Sequence, residues 1–110
     1  MNLISRLEEQ ILVSIWRLQE KAYGIAILEE MTKTTGKNWL TGSIYASLAR
    51  LLKQNLIEAI EGDPTPKRGG RRKIFYRVTE TGQKALNELQ RVHVALWAGL
   101  PSFEIEDKDV

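Results

Sequence analysis

The densest chemical feature of the sequence is a run of cations in the segment that separates two strand-like stretches. Five cations fall within seven positions, namely Lys67, Arg68, Arg71, Arg72 and Lys73. Side chains of this kind neutralise the phosphates of a polyanion such as DNA. The net charge of +2 includes an acidic end, EIEDKDV, so the remainder of the chain is more basic than the total suggests. A solvated charged loop is the alternative, and charge alone does not decide between them.

A second polar cluster follows from helical spacing in the segment that begins at Thr41, which we predict to cap a helix over about 42–54. The apolar positions are Ile44, Leu48, Leu51 and Leu52. The opposite face is small, polar and basic, and its candidate DNA contacts are Thr41, Ser43, Ser47, Arg50 and Lys53. The alternative is an ordinary solvated helix face. Tyr23 and Tyr45 could each donate a hydrogen bond to a phosphate, or could pack against the helical core.

Other chemistry is weakly represented. The chain has no cysteine, and no phosphate-binding loop, dinucleotide fingerprint, catalytic triad or zinc-ligand spacing. We therefore predict no enzyme activity, no metal and no cofactor. His93 is the one histidine; a metal or pH-sensing role is the alternative to simple packing.

Two tryptophans suggest a ligand. A planar aromatic or phenolic molecule could stack between Trp16 and Trp97, which fall on the first and last predicted helices. The alternative is that both indoles fill an interface between subunits.

The elements that position these residues follow from periodicity. Apolar spacing predicts helices over 4–20, over about 24–35 with Gly36 as a left-handed cap, and over about 80–99 after an N-capping Thr79. Short strands are predicted at 38–40, 56–61 and 73–79, the last two as a hairpin.

An acidic, disordered tail is predicted from residue 101 onward. The fold class is mainly α with a small β-hairpin (α+β). Its element order is that of a winged helix-turn-helix plus a C-terminal helix, in which the third helix enters the DNA major groove and the wing contacts the backbone.

Three blocks in this order carry a family resemblance: Tyr23-Gly24 with Ile27, GSIYASLARLLKQNLI at 42–57 and GGRRKIFYRVTETG at 69–82. Over about residues 5–100 the chain resembles the PadR-like transcriptional regulators, in the compact branch with a single C-terminal dimerisation helix. The resemblance implies a homodimer, a repressor, and release from the operator when a small molecule binds. Asn55 replaces a glycine that is frequent after the third helix, and asparagine tolerates the left-handed conformation.

The assembly prediction rests on surplus apolar surface. The last helix carries a seam that a small domain cannot cover, and the first helix carries further apolar residues. The candidate dimer residues are Leu7, Leu12, Trp16, Leu86, Leu89, Val92, His93, Leu96 and Leu100. We therefore expect a DNA-binding domain over 1–79, a dimerisation helix over 80–100 and a tail over 101–110.

The predicted function is a sequence-specific, cytoplasmic DNA-binding regulator that binds an operator and contacts no membrane. A basic wing beside a small polar helix face favours it over a winged-helix protein-interaction module, which uses the same fold without binding DNA.

Overall fold

The computed structural model describes residues 4–62 and 73–101. In chain order the helices are α1 (Arg6–Leu18), α2 (Gly24–Thr35), α3 (Thr41–Lys53) and α4 (Glu80–Trp97), with a 3-10 turn at Gln19–Lys21. The strands β1 (Ile57–Glu61) and β2 (Ile74–Val78) lie between α3 and α4 and form an antiparallel hairpin. This order confirms the predicted α+β architecture.

Helix α1 begins at a capping box. The Ser5 hydroxyl accepts a hydrogen bond from the Glu8 amide, and the Glu8 carboxylate accepts one from the Ser5 amide. These two bonds satisfy donors that a helix N-terminus otherwise leaves unpaired.

Leu12 of α1 was predicted to be exposed in the protomer and available to a dimer partner, and this prediction is wrong. Leu12 is 0% exposed, like Ile11 beside it. Helix α1 contacts α2, α3 and β2, so its buried face is wider than a single stripe. Val13 and Trp16, at 40% and 46% exposure, are the apolar residues that α1 leaves at the surface.

Helices α2 and α3 form the two helices of the helix-turn-helix. Gly36 ends α2 with φ of 71°, in the left-handed conformation that was predicted. The predicted strand at 38–40 does not form within the described residues; instead, the Trp39 indole donates to the Thr35 hydroxyl at 3.1 Å. Thr41 is the first helical residue of α3 and not its cap, because the Leu40 carbonyl already accepts from the amides of Ser43 and Ile44.

In the hairpin, which forms the wing, Ile57 pairs with Val78 at the base and Glu61 pairs with Ile74 at the opposite end. The turn into β1 uses Asn55 at φ 60°, which confirms that asparagine serves in the left-handed position. The hairpin is also joined to the helices, since the Tyr76 amide donates to the Ala22 carbonyl at 2.7 Å. The core therefore lies between α1, α2, α3 and the base of the wing.

Helix α4 starts where predicted, with the Thr79 hydroxyl accepting from the Gly82 amide. Gly82 is buried because the Leu56 carbonyl passes directly over it, where a Cβ would overlap. The C-terminal end of α4 is largely exposed, with Leu96 and Trp97 at 68% and 58%. No helix in the described ranges is both long enough and apolar enough to span a bilayer.

Candidate nucleic-acid interface

The outward face of α3 combines small residues with cations. Thr41, Gly42 and Ser43 are exposed at its N-terminal end. Arg50 and Lys53 are exposed near its C-terminal end. Because the residues between them on this face are alanines at 46 and 49, the helix backbone can approach another surface closely. The major groove of B-DNA is wide enough to admit a helix of this shape.

Ser47 was predicted on this face and is the exception. Its side chain is 0% exposed, so it cannot present its hydroxyl to DNA in this conformation. The spacing of Ile44, Ser47, Leu48 and Leu51 is the i, i+3, i+4, i+7 pattern of a buried stripe, which the sequence prediction overlooked because serine is polar. The Ser47 hydroxyl accepts a hydrogen bond from Nη2 of Arg50 at 3.0 Å.

Arg50 has a second partner that the sequence prediction missed. Its Nε lies 3.5 Å from Oε2 of Glu8, a buried carboxylate on α1, while the Arg50 side chain stays 55% exposed. The Ser-x-x-Glu spacing at Ser5 and Glu8 could have indicated the capping box. Nothing in the sequence indicated that the same carboxylate would reach α3.

Tyr45 lies between α3 and the start of α2. It is 46% exposed, and its phenol covers Gly24 so closely that a Cβ at Gly24 would overlap the hydroxyl. This contact explains the glycine at position 24, because glycine is the residue that leaves room for the ring. Packing against the helical core and donation to a phosphate are therefore compatible for Tyr45, because the ring packs against Gly24 while part of it faces solvent.

Tyr23 joins the helix-turn-helix to strand β2 of the hairpin. Its ring meets the Phe75 ring edge-on, with centroids 5.7 Å apart. Nζ of Lys73 lies 4.4 Å from the Tyr23 ring centroid, within the range of a cation–π interaction. Lys73 is thus held beside the helix-turn-helix at the point where the wing begins. The other predicted wing cations, Lys67, Arg68, Arg71 and Arg72, lie outside the described residues.

The predicted dimer residues divide by exposure. Leu7, Leu86 and Leu89 are partly buried within the protomer, whereas Val92, Leu96 and Leu100 are at least 46% exposed. His93 has a partner in its own chain, with Nε2 lying 3.1 Å from Oε2 of Glu9 on α1. This contact connects α4 to α1. No cluster of metal-ligating side chains occurs among residues 4–62 and 73–101.

The two tryptophans line separate hollows along the cleft between α1 and α4. Trp16 borders a hollow of about 530 Å³, and Trp97 borders one of about 450 Å³. Glu9, Val13 and His93 line both, so the hollows are neighbours. Trp97 does not line the first of these hollows, and Trp16 does not line the second.

One tyrosine near the interface has a shifted acidity. Burial raises the pKa of Tyr76 above its ordinary value of 10.0, and the nearby Tyr45 raises it further. The Tyr76 side chain is partly buried against the core.

The comparisons with known proteins agree with this geometry. The structure is similar to that of a PadR-like transcriptional regulator from Bacillus cereus strain ATCC 14579, at 29% sequence identity over 82% of each chain and a TM-score of 0.65. It is also similar to RosR from H. salinarum (20% identity, 88% of this chain, 80% of that chain, TM-score 0.68) and to a PadR family regulator from Eggerthella lenta DSM 2243 (23% identity, 82% and 76%, TM-score 0.64). No curated protein matches the sequence. Residues 11–88 match the transcriptional regulator PadR-like family, and the chain therefore belongs to that family.

Proposed function

We propose that the chain binds double-stranded DNA sequence-specifically by inserting α3 into the major groove. The observation that carries the proposal is the outward face of α3, where exposed Ser43 and Arg50 flank alanines that let the helix approach base edges. Arginine hydrogen-bonds the guanine edge in two places, which is the commonest specific contact in the major groove. Membership of a family of transcriptional regulators supports the same function.

The wing supplies affinity without sequence preference. Lys73 lies beside Tyr23, next to the Glu61–Ile74 end of the paired strands, and the remaining cations of the cluster precede it in the sequence. Phosphate contacts of this kind position a protein on the duplex, while contacts to bases provide specificity.

The active form is a homodimer built mainly by the exposed part of α4. Leu96 and Leu100 are 68% and 55% exposed, and Val92 continues the same apolar strip at 46%. A second copy would cover this strip in a two-fold arrangement. The two α3 helices would then be spaced so that each can enter one of two adjacent major grooves. The division into a DNA-binding domain, a dimerisation helix and an acidic tail follows from this arrangement.

The regulator is a cytoplasmic repressor that a small molecule releases from its operator. The family resemblance supports repression, and the hollows beside Trp16 and Trp97 support a planar aromatic or phenolic effector. An effector in the cleft between α1 and α4 would act by changing the spacing of the two α3 helices.

Capture of genomic fragments by the purified protein, followed by sequencing, tests the function and identifies the operator. We expect recovery of a small set of sites that share a palindromic motif, with retention that falls steeply as salt is raised. Recovery of random fragments would contradict sequence specificity, and no retention on heparin at low salt would instead favour a winged-helix module that binds proteins.

A further inference from the structure

Glu8 is a buried carboxylate whose two oxygens have different surroundings. It is 5% exposed. Oε1 accepts from the Ser5 amide at 2.9 Å and completes the capping box. Oε2 accepts no hydrogen bond from the described residues, and it faces Nε of Arg50 at 3.5 Å. The capping box therefore uses one oxygen, and the other is directed at the recognition helix.

Arg50 is contacted along one edge of its guanidinium group. Glu8 lies at Nε, and the buried Ser47 hydroxyl accepts from Nη2. Nε and Nη2 together form the side edge of the group, so these partners leave the end edge, formed by Nη1 and the second Nη2 proton, directed away from them. That end edge is one that can bind guanine at two points.

The charge of Glu8 has a second consequence. A carboxylate beside Arg50 offsets the positive charge that the arginine presents to a phosphate, because the two charges lie within ion-pair distance. Attraction to phosphates is independent of sequence, whereas a two-point hydrogen bond to a base is not. An arginine that is both partly neutralised and held by one edge contributes to discrimination more than to general affinity.

We propose that Glu8 is a positioning residue for DNA recognition, which orients Arg50 for base contact and suppresses its binding to phosphates. The inference rests on the proposed function, since it assumes that α3 contacts DNA. It assigns a specificity role to a residue of α1 that contacts no DNA itself.

Glu8→Gln is the variant that separates charge from capping. Glutamine keeps a carbonyl oxygen that can accept from the Ser5 amide, and capping boxes use Glu or Gln at this position. Ser5→Ala is the matched control, because it removes the hydroxyl that caps the Glu8 amide at 3.1 Å and leaves the charge next to Arg50. The measurement is the dissociation constant for the operator and for a random duplex of equal length, over a range of salt concentrations.

We expect Glu8→Gln to lower the operator-to-random affinity ratio on the order of tenfold. Part of the change should come from tighter random binding, with a log K against log[salt] slope steeper by roughly 2 if one phosphate is gained per subunit of a dimer. Ser5→Ala should keep the ratio and lose only thermal stability. A wild-type ratio in Glu8→Gln, or an equal fall in Ser5→Ala, overturns the proposal.

Two further variants keep the test decisive. Ser47→Ala removes the Nη2 partner with little change in volume, so it tests orientation even where Glu8→Gln fails to fold. It should lower the operator-to-random affinity ratio severalfold without tightening binding to random DNA, and an unchanged ratio refutes the positioning role.

Arg50→Ala tests the proposed function separately. An unchanged affinity ratio in Arg50→Ala shows that α3 does not contact bases. If Arg50→Ala lowers the ratio while Glu8→Gln keeps the wild-type ratio, only the inference about Glu8 is rejected.

Discussion

Gly82 should tolerate no larger residue, because the first turn of α4 packs against the backbone of Leu56, in the segment between α3 and β1. An added Cβ would overlap the Leu56 carbonyl oxygen and would lie 2.7 Å from Cγ1 of Val78 and 3.1 Å from the Leu56 carbonyl carbon. Two of these three neighbours are backbone atoms, which cannot rotate away as the end of a side chain can. Gly82→Ala must therefore shift α4 relative to the hairpin.

The magnitude follows from two opposing effects. Overpacking of a filled site costs about 1–3 kcal/mol, and replacing a helical glycine by alanine returns about 0.5–1 kcal/mol. We expect Gly82→Ala to lose on the order of 1 kcal/mol of unfolding free energy, which corresponds to roughly 4–8 °C in melting temperature for a domain of this size. Gly42→Ala is the matched control, because Gly42 lies in the first turn of α3 with nothing within 4 Å of its missing Cβ.

Urea unfolding followed by circular dichroism at a fixed protomer concentration measures both variants, since the stability of a dimer depends on concentration. Gly42→Ala should equal or exceed the wild type, and Gly82→Ala should fall below it. A Gly82→Ala variant as stable as Gly42→Ala would refute the close packing of α4 against the segment between α3 and β1.

Three further predictions test the wing, the dimer and the core. Changing Arg68, Arg71 and Arg72 to alanine should flatten the salt dependence of DNA binding by a slope of roughly 5 for a dimer, if the wings neutralise about six phosphates in all; an unchanged slope means that the wing does not contact the backbone. Leu96→Asp should give a folded monomer by analytical ultracentrifugation with weakened operator binding, because Leu96 is 68% exposed and supports no core packing; a dimeric variant places the interface elsewhere. Burial raises the pKa of Tyr76, so folding favours the neutral phenol, and this contribution is complete below pH ~10 and is lost as the pH rises through the folded-state pKa. Tyr76→Phe should therefore show a shallower loss of stability with alkaline pH than the wild type, and equal slopes would contradict the buried environment.

Local signals predicted the helices and the hairpin well. Gly36, Asn55 and Thr79 each determine a backbone conformation through their own chemistry, and the structure places each in the predicted role. The predicted strand at 38–40 failed because a short extended segment becomes a strand only with a pairing partner. That partner depends on tertiary structure, which three residues cannot encode.

The site was predicted less completely, for two physical reasons. Leu12 and Ser47 were placed at the surface by residue type and single-stripe spacing, yet both are buried because neighbouring elements cover them. The contacts of Glu8 with Arg50 and of Glu9 with His93 join residues more than forty positions apart. Such pairs arise from the packing of α1 against α3 and α4, and no local pattern indicates them.

The central claim, that α3 lies in the major groove, can be tested by directed DNA cleavage, because the chain has no cysteine of its own. A single cysteine introduced by Ser43→Cys carries an iron chelate that cuts nearby DNA, and Arg91→Cys on the exposed side of α4 is the control. The account predicts two clusters of cuts from position 43, separated by about one helical turn, ~34 Å, on the operator, and few cuts from position 91. Cutting from position 43 that is no stronger or no more localised than cutting from position 91 would contradict it.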